Sequence, residues 1–313
     1  MSELEIIRHG QVNGVSIFFN TVEYRTPHFH PEWELIWVLD GTLLVRSEQK
    51  EDACDADDLV VIPPKRIHEF FGKDRAVTFL CLQIAPQAFS YVFPPLEALT
   101  TDAVRLSAHL DPGASDEIRR SMCTLMREYL SEMPFYELRC AACCAQILQL
   151  VLTGLPVRQM HAGEILLADQ RNARLDRFLQ YVEEHLAEQP SLSAFAESEH
   201  CSVSYMSRFL RKNLNQSFQD FVTRMRFRRA CRLIAASGKR MIDVCEECGF
   251  SDYRYFSNCF KKYLGMTPEQ YRRTRPSAAN ARRTPKPAER FYSREESMAL
   301  LSRIENGHKV KIV

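Results

Sequence analysis

The sequence predicts a two-domain α+β protein: a β-rich first half with flanking helices, followed by an all-α second half. Short runs rich in β-branched and aromatic residues occupy positions 15–85, and helical periodicity replaces them from Ser115 onward. The charge divides in the same way. Residues 1–170 carry 14 Lys/Arg and 24 Asp/Glu, whereas residues 171–275 carry 19 and 12. A basic second half beside an acidic first half indicates a polyanionic partner for the second.

Five segments of the first half have the composition of short β-strands. Turn-forming pairs such as Asp40-Gly41 and Pro63-Pro64 separate them. Several short strands at close spacing predict a small barrel or sandwich, which we expect over residues 1–110. The strands are expected at Val15–Phe19, Glu34–Leu39, Thr42–Arg46, Leu59–Ile62 and Val77–Gln83.

Two amphipathic helices follow over residues 111–156. The first starts near Ser115, and the second covers Leu138–Leu152 and ends at Gly154. Two such helices after a small barrel are suited to pairing with a second copy, and they could equally just cover the barrel. We therefore expect a homodimer, with this helical segment as its dimerisation surface.

Residues 157–171 are predicted to be a linker, and residues 276–313 a flexible tail. The tail begins with a stretch rich in Pro, Ala and Arg. Within it, Ser293 and Glu296 have the spacing of a capping box, so a short terminal helix is expected there.

Several classes of protein are excluded by composition. Met1 to Gly10 lacks the apolar core of a secretory signal, and no run approaches the roughly 18 apolar residues of a membrane helix. The expected location is therefore cytoplasmic, with no membrane partner. Cys245 and Cys248 have CxxC spacing, but no second pair lies at zinc-finger distance, so we interpret them as small core residues. No cofactor is predicted.

Two segments of the second half share the plan of a short helix, a tight turn and a capped second helix. This is the helix-turn-helix pattern, whose second helix can enter the major groove of DNA. Ser202 is the expected N-cap in the first unit, and Gly249 suits the turn of the second. Residues 172–275 are therefore predicted to bind double-stranded DNA. The four helices are expected at Leu192–Ser198, Val203–Lys212, Met241–Cys248 and Tyr253–Leu264.

A helix over Phe218–Ser237 is expected to connect the two units. One side of it is apolar, and the other carries five arginines, among them Arg228. A basic helix face is often simply solvated. Because this one joins two units that could read a groove, we interpret it as a phosphate-contacting face, with Arg228 as the representative contact.

These residues resemble a known family. The run FSDYRYFSNCFKKYLGMTPEQYR, from Phe250 to Arg272, resembles the signature of the AraC/XylS family of transcription regulators, and the first unit and connecting helix match the same family. The resemblance covers about residues 172–273. The sequence departs from the family at Leu214–Gln216, where a glycine is frequent, and at Asn258, where arginine is common. The second departure bears on base preference and leaves the expected fold unchanged.

The resemblance implies which side chains face the bases. In the first unit they are Ser204, Ser207 and Arg208. In the second unit they are Tyr253, Arg254 and Asn258. Arginine can make a bidentate contact with guanine and asparagine with adenine, so Arg208, Arg254 and Asn258 carry most information. The alternative for each is a phosphate contact or a solvated surface position.

The first half resembles the two cupin motifs. His28, His30 and Glu34, followed by Gly41, match the first motif, and Asp58 to His68 matches the second. Cupin enzymes hold a metal with three histidines and a carboxylate, and His28, His30, Glu34 and His68 supply that set. Sensor barrels of the regulator family often keep such residues without metal, so an effector-binding cluster is the alternative. Alternate residues of a strand share a face, and His28, His30 and Glu34 all have even numbers. Trp33 and Trp37 have odd numbers, so they should lie on the opposite face and pack outward.

The sequence therefore predicts a transcription regulator that senses a small-molecule effector in a cupin-like barrel and binds DNA through two helix-turn-helix units. RNA polymerase is a further expected partner if the protein activates transcription. Two rival interpretations remain. One is a metal-dependent cupin enzyme with an appended DNA-binding domain, and the other is a constitutive DNA-binding protein whose barrel is a dimerisation scaffold.

Overall fold

The computed structural model describes residues 12–47, 50–73, 75–274 and 289–306. Its described residues divide into two compact units. The sensor unit comprises residues 12–173 together with 289–306, and the helical unit comprises residues 174–274. The helical unit is thus inserted, along the sequence, between two parts of the sensor unit.

Two antiparallel sheets form the sensor unit. Their strands are β1 (Val15–Val22), β2 (Tyr24–His28), β3 (Trp33–Asp40), β4 (Leu43–Ser47), β5 (Lys50–Cys54), β6 (Leu59–Ile62), β7 (His68–Gly72), β8 (Val77–Ile84) and the late strand β11 (Glu289–Phe291). One sheet has the order β11-β1-β8-β3-β6, and the other has β2-β7-β4-β5. All five predicted strands are confirmed, with ends that differ by a few residues.

Alternation along β3 divides the apolar residues between two cores. Ile36 and Val38 belong to the core between the two sheets, together with residues of β4 and β7. Trp33 and Trp37 face the other side and pack in a core that includes both flanking helices. The predicted outward packing of the two tryptophans is therefore confirmed, and one face of this sheet is reserved for helices.

The helices α1 (Pro112–Ser131) and α2 (Tyr136–Gly154) cover that face. Ile118 and Met122 of α1 are fully buried there, and so are Cys140 and Cys144 of α2. Burial raises the pKa of Cys140 to about 11. These cysteines pack as small hydrophobic residues, as the sequence indicated.

Residues 157–171 are ordered, in contrast to the predicted linker. Strand β10 (Val157–Gln159) pairs with β9 (Leu99–Thr101), and helix α3 (Ala162–Glu184) begins soon after. Lys65 accepts hydrogen bonds at its carbonyl oxygen from Arg171 and Asn172, at 3.1 and 2.9 Å. The apolar run Ile165-Leu-Leu167 is part of this helix.

The predicted flexible tail also contains ordered structure. Its described part forms β11 and helix α10 (Arg294–Glu305), and the predicted capping box of Ser293 and Glu296 is present. Leu300 and Leu301 of α10 are buried in the core shared with α1 and α2.

The helical unit contains the end of α3 and six further helices. They are α4 (Leu192–Ser198), α5 (Val203–Leu214), α6 (Phe218–Ala236), α7 (Met241–Glu247), α8 (Tyr253–Leu264) and α9 (Pro268–Thr274). Phe178 of α3 packs against Phe195, Phe218 and Phe221, which holds the first helix pair on α6. Helices α4 to α8 agree with the predicted helices to within about two residues. No helix in the described part of the chain is long and apolar enough to cross a membrane.

Candidate functional site

The first helix-turn-helix unit consists of α4 and α5. Ser202 caps α5 by accepting a hydrogen bond from the Tyr205 backbone, and Met206 and Leu210 bury one face of the helix. Because the buried face is fixed, the opposite face is presented to solvent. Ser204 and Arg208 are exposed on it, and Ser207 is half-buried.

The second unit consists of α7 and α8. Gly249 has a left-handed backbone (φ +77°) and forms the turn, and Asp252 caps α8. Arg254 and Asn258 are exposed. Tyr253 differs from the expectation for a base-reading residue, because its hydroxyl donates to the Glu269 carboxylate and its ring packs on Phe256. Tyr253 of α8 therefore forms a direct contact with α9.

Helix α6 presents only part of the basic face that its sequence suggested, with Arg232 exposed and Arg224 and Arg229 half-buried. Arg228 is only 9% exposed, so its predicted role as a phosphate contact is wrong for this structure. Arg226 donates to the backbone carbonyls of Leu186 and Glu188, at 3.1 and 2.6 Å, and thereby ties α6 to the segment after α3. Both arginines sit one turn or less from apolar core residues, and their stems fill space there.

Other exposed basic residues occur near the C-terminal ends of α5 and α8, the second helices of the two units. Arg211 and Lys212 lie on α5, and Lys261 and Lys262 lie on α8. Sequence reasoning passed over these four in favour of α6. The helical periodicity could have found them, because they lie on the faces opposite Leu210 and Phe260.

Other arginines of the helical unit are used in ion pairs. The Glu199 carboxylate accepts from Arg177 at 2.6 Å and from Arg174 at 3.0 Å. Hydrogen bonding to Arg177 and then Arg174 lowers the pKa of Glu199 to about 2, against the effect of burial. This network connects α3 to the turn after α4.

In the sensor unit, the four predicted site residues converge. His28, His30, Glu34 and His68 are each at most 2% exposed. His28 and His68 face each other across the β2–β7 pair, with ring centroids 4.1 Å apart. Glu34 Oε2 lies 3.2 Å from His68 Nε2 and 3.5 Å from His30 Nε2. The structure therefore brings together residues from three strands and the loop before β3.

Hydrogen bonds set the orientation of two of the imidazoles. His28 Nδ1 lies 2.7 Å from the Thr26 carbonyl oxygen, and His68 Nδ1 lies 2.9 Å from that of Arg66. A carbonyl oxygen can only accept, so each Nδ1 carries a proton; the Nε2 of His28 then presents a lone pair to the cluster, and the Nε2 of His68 faces the Glu34 carboxylate. His28 Nε2 is buried without a hydrogen-bond partner.

Burial lowers the pKa of His28 well below its ordinary value, and nearby positive charge at His68 and Arg25 adds to the effect. Burial likewise lowers the pKa of His68. Burial alone would raise the pKa of Glu34, but its contacts with His30 and His68 bring it well below the usual range. Near neutral pH the cluster therefore combines a neutral His28 with the Glu34 carboxylate.

This donor set fits a divalent transition-metal ion. One nitrogen from each of His28, His30 and His68 lies within 4.8 Å of the others. Glu34 Oε2 adjoins the Nε2 atoms of His68 and His30, and the Nε2 lone pair of His28 is buried in the cluster. Three imidazoles and a carboxylate are typical ligands of zinc, iron, copper or nickel, with backbone carbonyls as the outer support.

Sequence reasoning missed several residues at the site, among them the buried Glu32, whose Oε2 lies 3.5 Å from His30 Nδ1, and two residues that contact Glu34. Gln83 Nε2 donates to Glu34 Oε1 at 3.0 Å, and Cys81 Sγ donates to the same oxygen at 3.1 Å. Both lie on β8, the strand beside β3. Their signal was the alternation of β8, in which a glutamine occupies a position that should face the interior.

Comparison with known proteins agrees with this geometry. Residues 16–92 match the model of the AraC-like ligand binding domain, and residues 195–274 match that of a helix-turn-helix domain. Together the two matches span about half of the chain and include all the site residues described above.

Curated relatives are similar over most of the chain. YobQ of Bacillus subtilis, described as an uncharacterized HTH-type transcriptional regulator, is 23% identical over 249 residues, which cover 79% of this chain and 88% of YobQ. A Staphylococcus aureus protein described in the same way is 23% identical over 271 residues, or 85% of this chain. The chain spans only 34% of that relative's length.

Among solved structures, the C-terminal domain of AraT, a response regulator from Geobacillus stearothermophilus, is 32% identical. The match covers 36% of this chain and 88% of the AraT domain's chain, with a TM-score of 0.32.

Proposed function

Since the chain belongs to the AraC family of helix-turn-helix transcription regulators, we propose that it is a ligand-responsive regulator that binds promoter DNA and catalyses no reaction. One observation carries the proposal: a single helical unit contains two helix-turn-helix pairs, each exposing polar residues on its second helix, and a separate unit contains a buried polar cluster. The first feature suits DNA recognition, and the second suits a small ligand.

We assign base reading to Ser204, Ser207 and Arg208 in the first unit and to Arg254 and Asn258 in the second. Helix α6, with 19 residues, separates the pairs by a helix length of about 28 Å at 1.5 Å per residue. This length approaches one DNA turn of about 34–36 Å. The two second helices are therefore suited to successive major grooves on one side of the duplex.

The test starts from genome-wide mapping of the sites that the full-length protein occupies, followed by footprinting on one of them. Two protected major grooves per monomer, about one turn apart, are expected. Affinity should also fall steeply with salt concentration, because lysine and arginine displace counterions from phosphates. Protection of a single groove per monomer would contradict the two-unit model.

For the sensor unit, we propose that His28, His30, Glu34 and His68 bind the effector and that a divalent metal ion is part of it. Two features support this assignment: the buried lone pair of His28 Nε2 and the carboxylate of Glu34. None of the four side chains is a lysine or an arginine, which would repel a cation. If the ion is bound, Glu34 supplies the charge that compensates it, and Gln83 holds that carboxylate in place.

Cobalt titration of the metal-free, full-length protein tests this assignment. Co²⁺ gives visible absorption bands that report coordination by nitrogen and oxygen, and His68→Ala should remove them. Site occupancy should then change DNA affinity, since a ligand shifts binding only through its differential affinity for two states. Equal DNA affinity with and without every tested ion and metabolite would favour the scaffold interpretation. Turnover of a small molecule by the loaded protein would favour the enzyme.

We further propose that the full-length protein forms a homodimer through the α1–α2 region. Met133, Phe135 and Leu138 lie at the connection between these helices and are 62%, 78% and 72% exposed. A contiguous exposed apolar patch of this kind is typical of an interface. Sedimentation equilibrium of wild type and Phe135→Ser tests the proposal, and a monomeric wild type at micromolar concentration would contradict it.

A further inference from the structure

The chain returns to the sensor unit after completing the helical unit. Strand β11 pairs antiparallel with β1, placing Phe291 opposite Asn20 and Glu289 opposite Val22. Helix α10 then packs on α1 through Leu300 and Leu301. Residues 289–306, which we call the return segment, are therefore built into the sheet and the helical layer of the sensor unit.

Glu289 joins the edges of the two sheets. Its Oε1 accepts a hydrogen bond from Asn20 Nδ2 at 2.7 Å and another from Arg25 Nη1 at 2.7 Å. Asn20 belongs to β1, in the sheet that β11 extends, whereas Arg25 belongs to β2, at the edge of the other sheet. Asn20 is fully buried, and the side chain of Arg25 is 11% exposed. One carboxylate oxygen thus links both sheets through charge-assisted bonds shielded from water.

Strand β2 carries this link toward the polar cluster. Arg25 lies opposite Phe70 on β7, and His28, three residues later, lies opposite His68. The register shifts between Arg25 and His28, so this short strand is irregular where it meets the site. An irregular edge strand of five residues has few ladder bonds of its own, and anchoring Arg25 restrains the strand that holds His28.

We propose that Glu289 is a positioning residue of the sensor site: by holding Arg25 from the return segment, it fixes β2 and, through β2, His28. The inference rests on the proposed effector role of that site. Along the sequence, the helical unit is followed by Glu289, and Glu289 is coupled to the residues that bind the effector. A change at His28 is thereby transmitted to the return segment.

The experiment compares full-length wild type with Glu289→Ala, Glu289→Gln and the control Arg294→Ala. Arg294 also pairs the return segment with the rest of the sensor unit, 3.2 Å from Glu132 on the connection after α1, but it is far from β2 in sequence and contact. The first readout is hydrogen exchange of peptides that cover residues 20–30. The second is the affinity for Co²⁺ alone.

In Glu289→Ala, exchange in β2 should rise about tenfold and Co²⁺ affinity should fall about 5- to 10-fold, because contacting residues couple at that strength and the two hydrogen bonds that Glu289 accepts are lost. Glu289→Gln keeps both acceptor contacts and should exchange nearly as wild type does, and Arg294→Ala should leave both readouts unchanged. Exchange in β2 that is the same in Glu289→Ala and Arg294→Ala would overturn the proposal.

Faster exchange with unchanged Co²⁺ affinity would also overturn it, because Glu289 would then be only structural. If the wild type binds no Co²⁺, the metal assignment of the proposed function fails, and the exchange comparison still decides whether Glu289 holds β2.

Discussion

Replacing Gly249 with alanine should lower the free energy of unfolding of the helical unit without changing that of the sensor unit. A Cβ atom at this position would lie 2.5 Å from the Leu186 carbonyl oxygen and 2.8 Å from that of Ala187. Both are backbone atoms, and Arg226 holds the first of them. The left-handed φ costs alanine roughly 1 kcal/mol, and relief of the overlap costs about 2 kcal/mol more. The expected loss in free energy of unfolding is therefore about 3 kcal/mol.

Gly265→Ala is the matched control, because the same unit contains both glycines. Gly265 also has a left-handed φ, +67°, but its added Cβ would meet no atom within 4 Å. This variant should lose only the conformational cost of roughly 1 kcal/mol. The difference between the two variants isolates the contact between the second turn and the segment after α3.

Two optical signals separate the units in the full-length protein. Both tryptophans, Trp33 and Trp37, lie in the sensor unit, so their fluorescence follows that unit. Circular dichroism at 222 nm follows the helices of both units, so the transition that it shows and tryptophan fluorescence does not share belongs to the helical unit. Gly249→Ala should lower the helical transition by roughly 10 °C or more, at about 4–8 °C per kcal/mol, without moving the tryptophan transition. Equal shifts for Gly249→Ala and Gly265→Ala would refute the steric argument.

Three further predictions concern recognition and stability. Arg254→Ala should cost about 1–3 kcal/mol on the specific DNA site and relax base preference there, whereas Lys261→Ala should weaken all sequences alike; competition assays with base-substituted duplexes distinguish the two. Glu199→Ala should lower the stability of the helical unit by about 1–2 kcal/mol at neutral pH. Because the pKa of Glu199 is lowered to about 2, its stabilisation is complete above the unfolded value and is lost as pH falls through about 2, so denaturation curves should show the deficit shrinking below roughly pH 5. Leu301→Ala should destabilise the sensor unit by about 2–5 kcal/mol, which the tryptophan transition would report.

The predicted elements of the helical unit agreed well with the structure because each is specified locally. Ser202 and Asp252 cap their helices with their own side chains, and Gly249 supplies a backbone conformation that few residues adopt. Strands β2, β5 and β7 were missed for the converse reason. Lys50–Cys54 is mostly polar and exposed at an edge, so its pairing with β4 is visible only when β4 is present.

The sensor cluster could be predicted because its residues alternate. Parity placed His28, His30 and Glu34 together, the resemblance to the second cupin motif added His68, and the structure places His68 opposite His28 in the β2–β7 pair. The error on Arg228 arose from treating α6 as a helix with one buried side. It contacts α5, α7 and α8, so a residue that periodicity assigns to solvent is buried, and further exposed lysine and arginine residues lie on α5 and α8.

The packing of the return segment on the sensor unit could not be predicted from the sequence. Asn20 is a polar residue within an apolar strand, so the sequence alone indicates that it needs a hydrogen-bond partner. Its partner, Glu289, is 269 residues away, and nothing near either residue specifies the other. Proline and charge around residues 276–288 favour a tail, and a helix of 12 residues is marginal on its own. Its stability comes from burying Leu300 and Leu301 against α1, a contribution that exists only in the folded sensor unit. A segment of this kind is therefore coupled to the unit it completes, and the coupling is what makes Glu289 a candidate for transmitting the state of the site.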